Sequence, residues 1–250
     1  MIKICEWVGG STIYGLKTPD SDKDIRYVFK NTEISKIIGL DRHEHQENKV
    51  EDIFGFELRF FFGLLKRGNT QAIEALFLDE SEFNLITDEF KKIREHRYEL
   101  ISSEKLFNCL MGYTLSEKRK ILGQISGQLG NKRKLDIEKY GYSYKNCTHA
   151  LRLLRAGIIF FDGAPYPVNI VKYDKAYGPL ILDIKQHPEK YRPDELIREI
   201  ESLEEMLKRV FDLRKKNFVF NDNLVNELIY NSYMPILNEK EYQSIQRLLS

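Results

Sequence analysis

The chain has 250 residues, 42% of them apolar and 31% charged, enough for one large domain or two ordinary ones with real cores. With 39 basic against 38 acidic side chains, and glycine plus proline only 22 residues, wholesale disorder, a collagen-like repeat and a polycationic scaffold are excluded, although a near-zero total can still hide a basic face. No stretch approaches the roughly 18 consecutive apolar residues of a membrane span, and the N-terminal MIKICEWVGG lacks the pattern of a signal peptide, so no membrane association and a cytoplasmic location are expected.

Short runs rich in Ile, Val, Phe, Tyr and Trp at 2–8, 24–29, 34–38 and 49–54, bounded by Gly, Pro, Asp and Asn, predict strands. Beyond Gly55 the periodicity turns helical. Phe56, Phe60, Phe61, Leu64 and Leu65 make an apolar stripe, Gly68-Asn69 stop it, and Thr70 can cap a short helix holding Ile73, Leu76 and Phe77. Further helices are predicted over about 86–95, 103–129, 144–160, 194–215 and 221–232, with one extended piece, Tyr166–Val171, after the turn Asp162-Gly163-Ala164-Pro165. The expected class is α+β: a small α/β domain over 1–90, a mixed sheet with flanking helices, and a mainly helical domain over 91–250 that completes the cleft. Cys5, Cys109 and Cys147 are too few, odd in number and widely spaced, so buried, reduced thiols are expected in place of disulfides or a zinc cluster.

Chemistry concentrates in residues 9–26, GGSTIYGLKTPDSDKDIR. A strand ends at Gly9-Gly10, and Ser11 can open a short helix, so backbone N–H groups and a hydroxyl would face a phosphate. The next strand opens with Asp22-Lys23-Asp24, whose period of two sets both carboxylates on one face and Lys23 on the other. Paired carboxylates repel, and the usual compensation is one or two hard divalent cations with oxygen ligands. Farther along, Lys145, His149 and Arg152 stand at i, i+4 and i+7 on a helical stripe beside the apolar Leu151, Leu154 and Ile158; either they form a cationic groove or they are a solvated face with His149 as an ordinary imidazole. His43-x-His45 lies in the polar run DRHEHQENK and reads as an exposed loop more readily than as a metal site.

With Tyr14-Gly15, Thr18-Pro19 and Arg26 added to the Gly-Ser and Asp-x-Asp pairs, the segment resembles the DNA polymerase β-like nucleotidyltransferases, and within them the branch of predicted nucleotidyltransferases of RNA repair pathways. Asp52, followed by Glu57-Leu58-Arg59-Phe60, by Leu64 to Asn69 and by Glu74, is similar to that family's third-carboxylate strand and following helix. Lys145, His149 and Arg152 match its later K-x3-H-x2-R pattern. Glu51 and Asp52 are adjacent and would point to opposite faces of one strand; Asp52 is chosen as third carboxylate on the resemblance, with Glu51 and Glu47 as alternatives.

The resemblance implies a two-metal transfer of a nucleoside monophosphate from an NTP to a hydroxyl acceptor, with pyrophosphate released. Asp22, Asp24 and Asp52 would hold Mg²⁺ or Mn²⁺, and Gly10, Ser11, Lys145, His149 and Arg152 would hold the triphosphate. Tyr14 would stack on base or sugar, or simply pack. RNA is the expected acceptor, because Ser116–Lys145 holds eight Lys or Arg against three acids, with Tyr140, Tyr142 and Tyr144 as stacking faces. Transfer to a protein or small-molecule hydroxyl, and a non-catalytic nucleotide-binding module, are the alternatives.

Overall fold

A computed structural model describes residues 1–19, 21–38, 45–48, 52–124, 131–214 and 216–249. The described elements run β1 (Ile2–Val8), β2 (Ile25–Lys30), α1 (Ile34–Ile38), β3 (His45–Asn48), β4 (Ile53–Glu57), α2 (Leu58–Lys66), α3 (Thr70–Phe77), β5 (Phe83–Ile86) and α4 (Asp88–Glu95). Then follow α5 (Ser103–Ile121), α6 (Asn131–Tyr140), α7 (Tyr144–Phe161), α8 (Ile170–Tyr173), α9 (Gly178–Gln186), α10 (Pro193–Asp212) and α11 (Asp222–Leu249). The class is α+β. No described helix is long and apolar enough to cross a membrane.

The chain divides into two compact units. The first comprises Met1–Gly10, Asp22–Ser102 and the chain from Phe218 onward; the second comprises Ser11–Ser21 and Ser103–Asn217. Two crossings of this division, at Gly10/Ser11 and Ser21/Asp22, bracket Ser11–Ser21, and the first of them falls inside the Gly-Ser pair.

In the first unit the sheet order is β3-β4-β2-β1-β5, with β2 and β4 parallel and the other neighbouring pairs antiparallel. Trp7 of β1 is buried, stacks on Phe56 of β4 and meets Phe83 of β5 edge-on, while Phe61 of α2 fills the space between Phe56 and Phe90 of α4. These rings give the small unit a large apolar area per side chain. Glu57 ends β4 and caps α2, accepting from the N–H groups of Arg59 and Phe60; it is nearly inaccessible, and Arg59 Nε and the Tyr233 hydroxyl of α11 also donate to it. Burial pushes the Tyr233 hydroxyl up, and the Glu57 carboxylate adds to the shift, so Tyr233 keeps its proton and serves as a donor.

In the second unit α7 packs on α5, α10 and α9. A Cβ on Gly157 would stand 2.6 Å from Leu110 Cδ1 and 3.1 Å from a Leu207 methyl, so its bare Cα is what lets α5 and α10 approach α7 so closely. Gly112 on α5 is the opposite case, exposed and with nothing within 4 Å of where an added methyl would sit. Gly112→Ala is therefore expected to stabilise the protein by about 0.5–1 kcal/mol through helix propensity alone, checked as a rise in the midpoint of thermal unfolding with activity unchanged.

Several sequence expectations are corrected. Ile34–Ile38 is a helix, not a strand, because a five-residue run such as Ile-Ser-Lys-Ile-Ile lacks the length that separates the two readings. Tyr166–Val171 forms no strand, and Ile170 instead opens α8, whose cap is the Asn169 side chain. The cap of α3 is Asn69, whose Oδ1 accepts from Ala72 N–H, not Thr70. The single helix expected over 103–129 stops at Ile121, and 131–140 forms a separate helix. Of the strand expected at 49–54, Lys49, Val50 and Glu51 lie outside the described residues, and β4 starts at Ile53. Cys5 and Cys147 are buried free thiols, with Cys147 pushed up to about 12 by burial, and Cys109 is half-buried.

Candidate active site

The sheet register brings Asp24 and Asp52 to one end of the sheet. Val8 pairs with Ile25, and Ile25 with Ile53, so one end of three neighbouring strands is level. Gly9 follows the first of these residues, Asp24 precedes the second and Asp52 the third. Backbone bonds extend the alignment past the strand ends: Gly9 N–H donates to the Asp24 carbonyl at 2.7 Å, and Ile25 N–H to the Asp52 carbonyl at 3.0 Å. Because β2 and β4 are parallel, both carboxylates arrive at the same end of the sheet.

Asp22 and Asp24 both precede β2, which starts at Ile25, so alternation along a strand does not set their directions. Asp52 likewise stands outside β4, with φ at 48°, and the face argument that separated it from Glu51 does not apply there; Glu51 itself lies outside the described residues. A left-handed backbone at a non-glycine residue is costly, and aspartate is among the few side chains that tolerate it. Glu47 is exposed on β3, and His45 stacks on Phe54 at 5.4 Å; His43 lies outside the described residues.

Asp24 is half-buried, Asp22 and Asp52 exposed. Burial pushes the Asp24 carboxyl up, Arg26 opposes the shift, and the Asp52 and Asp22 charges raise it further. The three carboxylates therefore share one electrostatic neighbourhood. Arg26 Nη2 stands 3.5 Å from Asp24 Oδ1, and its Nη1 donates to the Asp52 backbone carbonyl at 3.2 Å, a loose link from the Asp24 carboxylate to the backbone of Asp52. As the side chains stand, no three His, Cys, Asp or Glu among the described residues are gathered closely enough to enclose an ion. The donor set nevertheless suits a hard divalent cation: it is all oxygen, and the Asp52 and Asp22 charges bear on Asp24 against the pull of Arg26.

Gly10 has φ at +62°, and a Cβ there would lie 1.9 Å from Asp24 Oδ2. The glycine is thus required twice, by its backbone and by the carboxylate lying against it.

Ser11 opens a turn in the second unit, not a helix: Leu16 N–H donates to the Ser11 carbonyl at 2.9 Å and Gly15 N–H to the Thr12 carbonyl at 3.3 Å. A helix dipole at Ser11 accordingly falls away, leaving the hydroxyl and turn amides as donors. The turn is pinned from several helices. The Arg152 guanidinium lies 3.5 Å from the Tyr14 ring centroid, Ile13 and Leu16 are buried, and Lys185 Nζ donates to the Leu16 carbonyl. A Cβ on Gly15, at φ +73°, would stand 2.5 Å from Asn169 Oδ1.

The row of three cations expected on α7 is corrected. Arg152 is buried at 1% exposure, inside the packed face and not beside it, with Nη2 at 3.4 Å from His149 Nδ1. Burial pushes His149 down to about 3, and Arg152, Lys120 and Arg133 add to the shift, so His149 is neutral at physiological pH. Only Lys145, exposed in the first turn of α7, is a solvent-facing cation of the three. One face of Tyr14 is already covered by Arg152, which favours its packing role.

In the basic segment, Lys118 pairs with Glu204 of α10 at 2.7 Å and Lys120 with Glu117 at 2.7 Å, whereas Arg119, Lys134, Lys139 and Lys145 are exposed. Tyr142 is fully buried, its hydroxyl donating to the Pro188 carbonyl at 2.9 Å, so it offers no stacking face; Tyr140 and Tyr144 are half-buried and meet edge-on. Sequence reasoning marks Arg26 as part of the motif without giving it a chemical role, and it overlooks Lys185, which no local pattern marks.

No curated protein and no solved structure matches the chain. A family model described as the RNA repair pathway DNA polymerase beta family matches residues 5–177, which take in the second half of β1, the Gly-Ser turn, all three carboxylates and α7. With more than two thirds of the chain matched, from the first strand into the helical unit, this protein belongs to the RNA repair pathway DNA polymerase beta family.

Proposed function

We propose that the chain is a metal-dependent nucleotidyltransferase that moves a nucleoside monophosphate from an NTP to a hydroxyl of RNA. Family membership points to nucleotidyl transfer in RNA repair. The observation that carries the finer reading is the shared neighbourhood of Asp22, Asp24 and Asp52 at one end of the parallel pair β2 and β4. These three carboxylates would hold Mg²⁺, or Mn²⁺ in its place; when bound, such an ion neutralises charge developing at the transferring phosphoryl group. In the transfer, an acceptor hydroxyl oxygen forms a bond to the α-phosphorus and the bond from that phosphorus to the bridging oxygen of the β-phosphate breaks. Pyrophosphate leaves with the electron pair, and the acceptor proton passes to the exposed Asp52 carboxylate and on to solvent. Gly10 and Ser11 are the candidate amide and hydroxyl donors to the β- and γ-phosphates, and Lys145, exposed in the first turn of α7, is the remaining candidate cation of the K-x3-H-x2-R pattern. Arg152 and neutral His149 act through the turn, by holding Tyr14 and each other.

RNA is favoured over a protein or small-molecule acceptor by the exposed cations Arg119, Lys134 and Lys139 in a segment with eight basic against three acidic residues. Replacing these three by Glu is expected to weaken binding of single-stranded RNA by about 10²-fold at low salt and to flatten the salt slope by roughly three phosphate contacts, with NTP binding unchanged. Filter binding across a salt series checks it. Unchanged RNA affinity in the variant, or none at low salt in the wild type, moves the reading to a protein or small-molecule hydroxyl.

A further inference from the structure

Lys185, on the last turn of α9, lies beyond residue 177, where the family match ends, and no sequence motif marks it. Its half-buried ammonium donates to the carbonyl of Leu16, a residue 169 positions earlier in the chain and itself only 4% exposed. That carbonyl belongs to the residue whose N–H closes the turn onto the Ser11 carbonyl at 2.9 Å. The turn therefore has one end at Ser11 and the other anchored by Lys185, with Asn169 packed against Gly15 and Arg152 over Tyr14 between them. An ammonium is an expensive anchor here: burial pushes Lys185 down, and the charge of Lys145 on α7 pushes it further. The hydrogen bond to the Leu16 carbonyl offsets part of that cost and ties α9 to the turn.

We propose that Lys185 is a positioning residue for nucleotide binding, which fixes the Ser11–Leu16 turn so that the Ser11 hydroxyl and the turn amides are presented to the NTP phosphates. The inference rests on the reading of Ser11 as a phosphate donor. Lys185 acts through the backbone of Leu16, and its effect on nucleotide binding is transmitted by the closed turn.

The test is a double-mutant cycle on the full chain, with Ser11→Ala, Lys185→Met and the two combined. Equilibrium binding of each of ATP, GTP, CTP and UTP with Mg²⁺ is measured by calorimetry, and KM and kcat are measured with the NTP that binds best. Lys185→Met is expected to raise Kd and KM by about tenfold, the worth of a charged hydrogen bond, with kcat within a factor of about two. Lys185→Arg, which keeps a donor of similar reach, is expected to restore most of the binding. In the double variant the two losses should not multiply, because both act through one turn. A role confined to stability would lower the unfolding midpoint and leave Kd where it was, which would overturn the positioning role. Ser11→Ala binding NTP as well as wild type would overturn the phosphate-donor reading beneath the inference. Ser11→Ala weakened with Lys185→Met unchanged, or losses that multiply fully in the double variant, would overturn the positioning role alone. Should Lys185→Met not fold, Lys185→Gln, which keeps a polar head at that place, enters the same cycle with the same criteria.

Discussion

Asp24→Asn is expected to reduce nucleotidyl transfer by roughly 10³-fold or more, the scale of losing a group that stabilises transition-state charge, while the fold persists. The substitution is nearly isosteric, and the Asp24 carbonyl keeps its bond from Gly9 N–H. In metal-free protein the variant should be at least as stable as wild type. The sign follows from the raised carboxyl: burial first, then Asp52 and Asp22, push Asp24 above its ordinary value against the pull of Arg26. An acid raised in the folded state favours folding below its unfolded value, and that contribution is lost as pH rises through the raised one. The stability advantage of the variant should therefore widen from acid toward neutral pH. Mg²⁺ should then raise the unfolding midpoint of wild type, since an ion bound only by the folded state stabilises it, and should leave Asp24→Asn unmoved. A thermal unfolding series with and without Mg²⁺ reads this without recourse to activity.

Gly10→Ala is expected to do comparable damage by a different route. The new methyl would stand 1.9 Å from Asp24 Oδ2, and the backbone at φ +62° is one that an L side chain adopts only at a cost of about 1–2 kcal/mol. Something must shift, and the nearest movable group is the Asp24 carboxylate. The variant should lose activity by about 10²-fold or more and lose about 1–3 kcal/mol of stability. Gly112→Ala, on an exposed helix face of α5, is the control in which the same methyl is expected to help. Equal behaviour of the two in denaturant unfolding would contradict the close packing of Gly10 against Asp24.

The carboxylates are legible in the sequence as residues but not as a geometry. Gly-Ser, Asp-x-Asp and the later α7 pattern identify the family, and the level ends of β1, β2 and β4 explain why Gly9, Asp24 and Asp52 arrive at one end of the sheet. Strand alternation, by contrast, is the wrong tool at Asp22, Asp24 and Asp52, because all three sit just before a strand begins, where the period of two has no hold. Spacing along α7 places Lys145, His149 and Arg152 on one stripe, but cannot show that Arg152 is enclosed. That depends on α7 being packed by α5, α9 and α10, which no local periodicity records. The role of Tyr233 at Glu57 is likewise invisible, since it depends on α11 returning to the first unit. Lys185 belongs to the same class: a charged side chain whose notable partner is a backbone carbonyl far away in the chain leaves no motif.

Transfer itself is tested most directly by following the α-phosphate. The full chain is incubated with each of the four NTPs labelled at the α-phosphate, with Mg²⁺, and with either total RNA or total protein, while pyrophosphate release is measured in parallel. The expected result is label on RNA, pyrophosphate released in equal amount, and both lost in Asp22→Asn and Asp24→Asn. Label on protein in place of RNA would contradict the acceptor, and full transfer in either purified variant would contradict the role of the carboxylates.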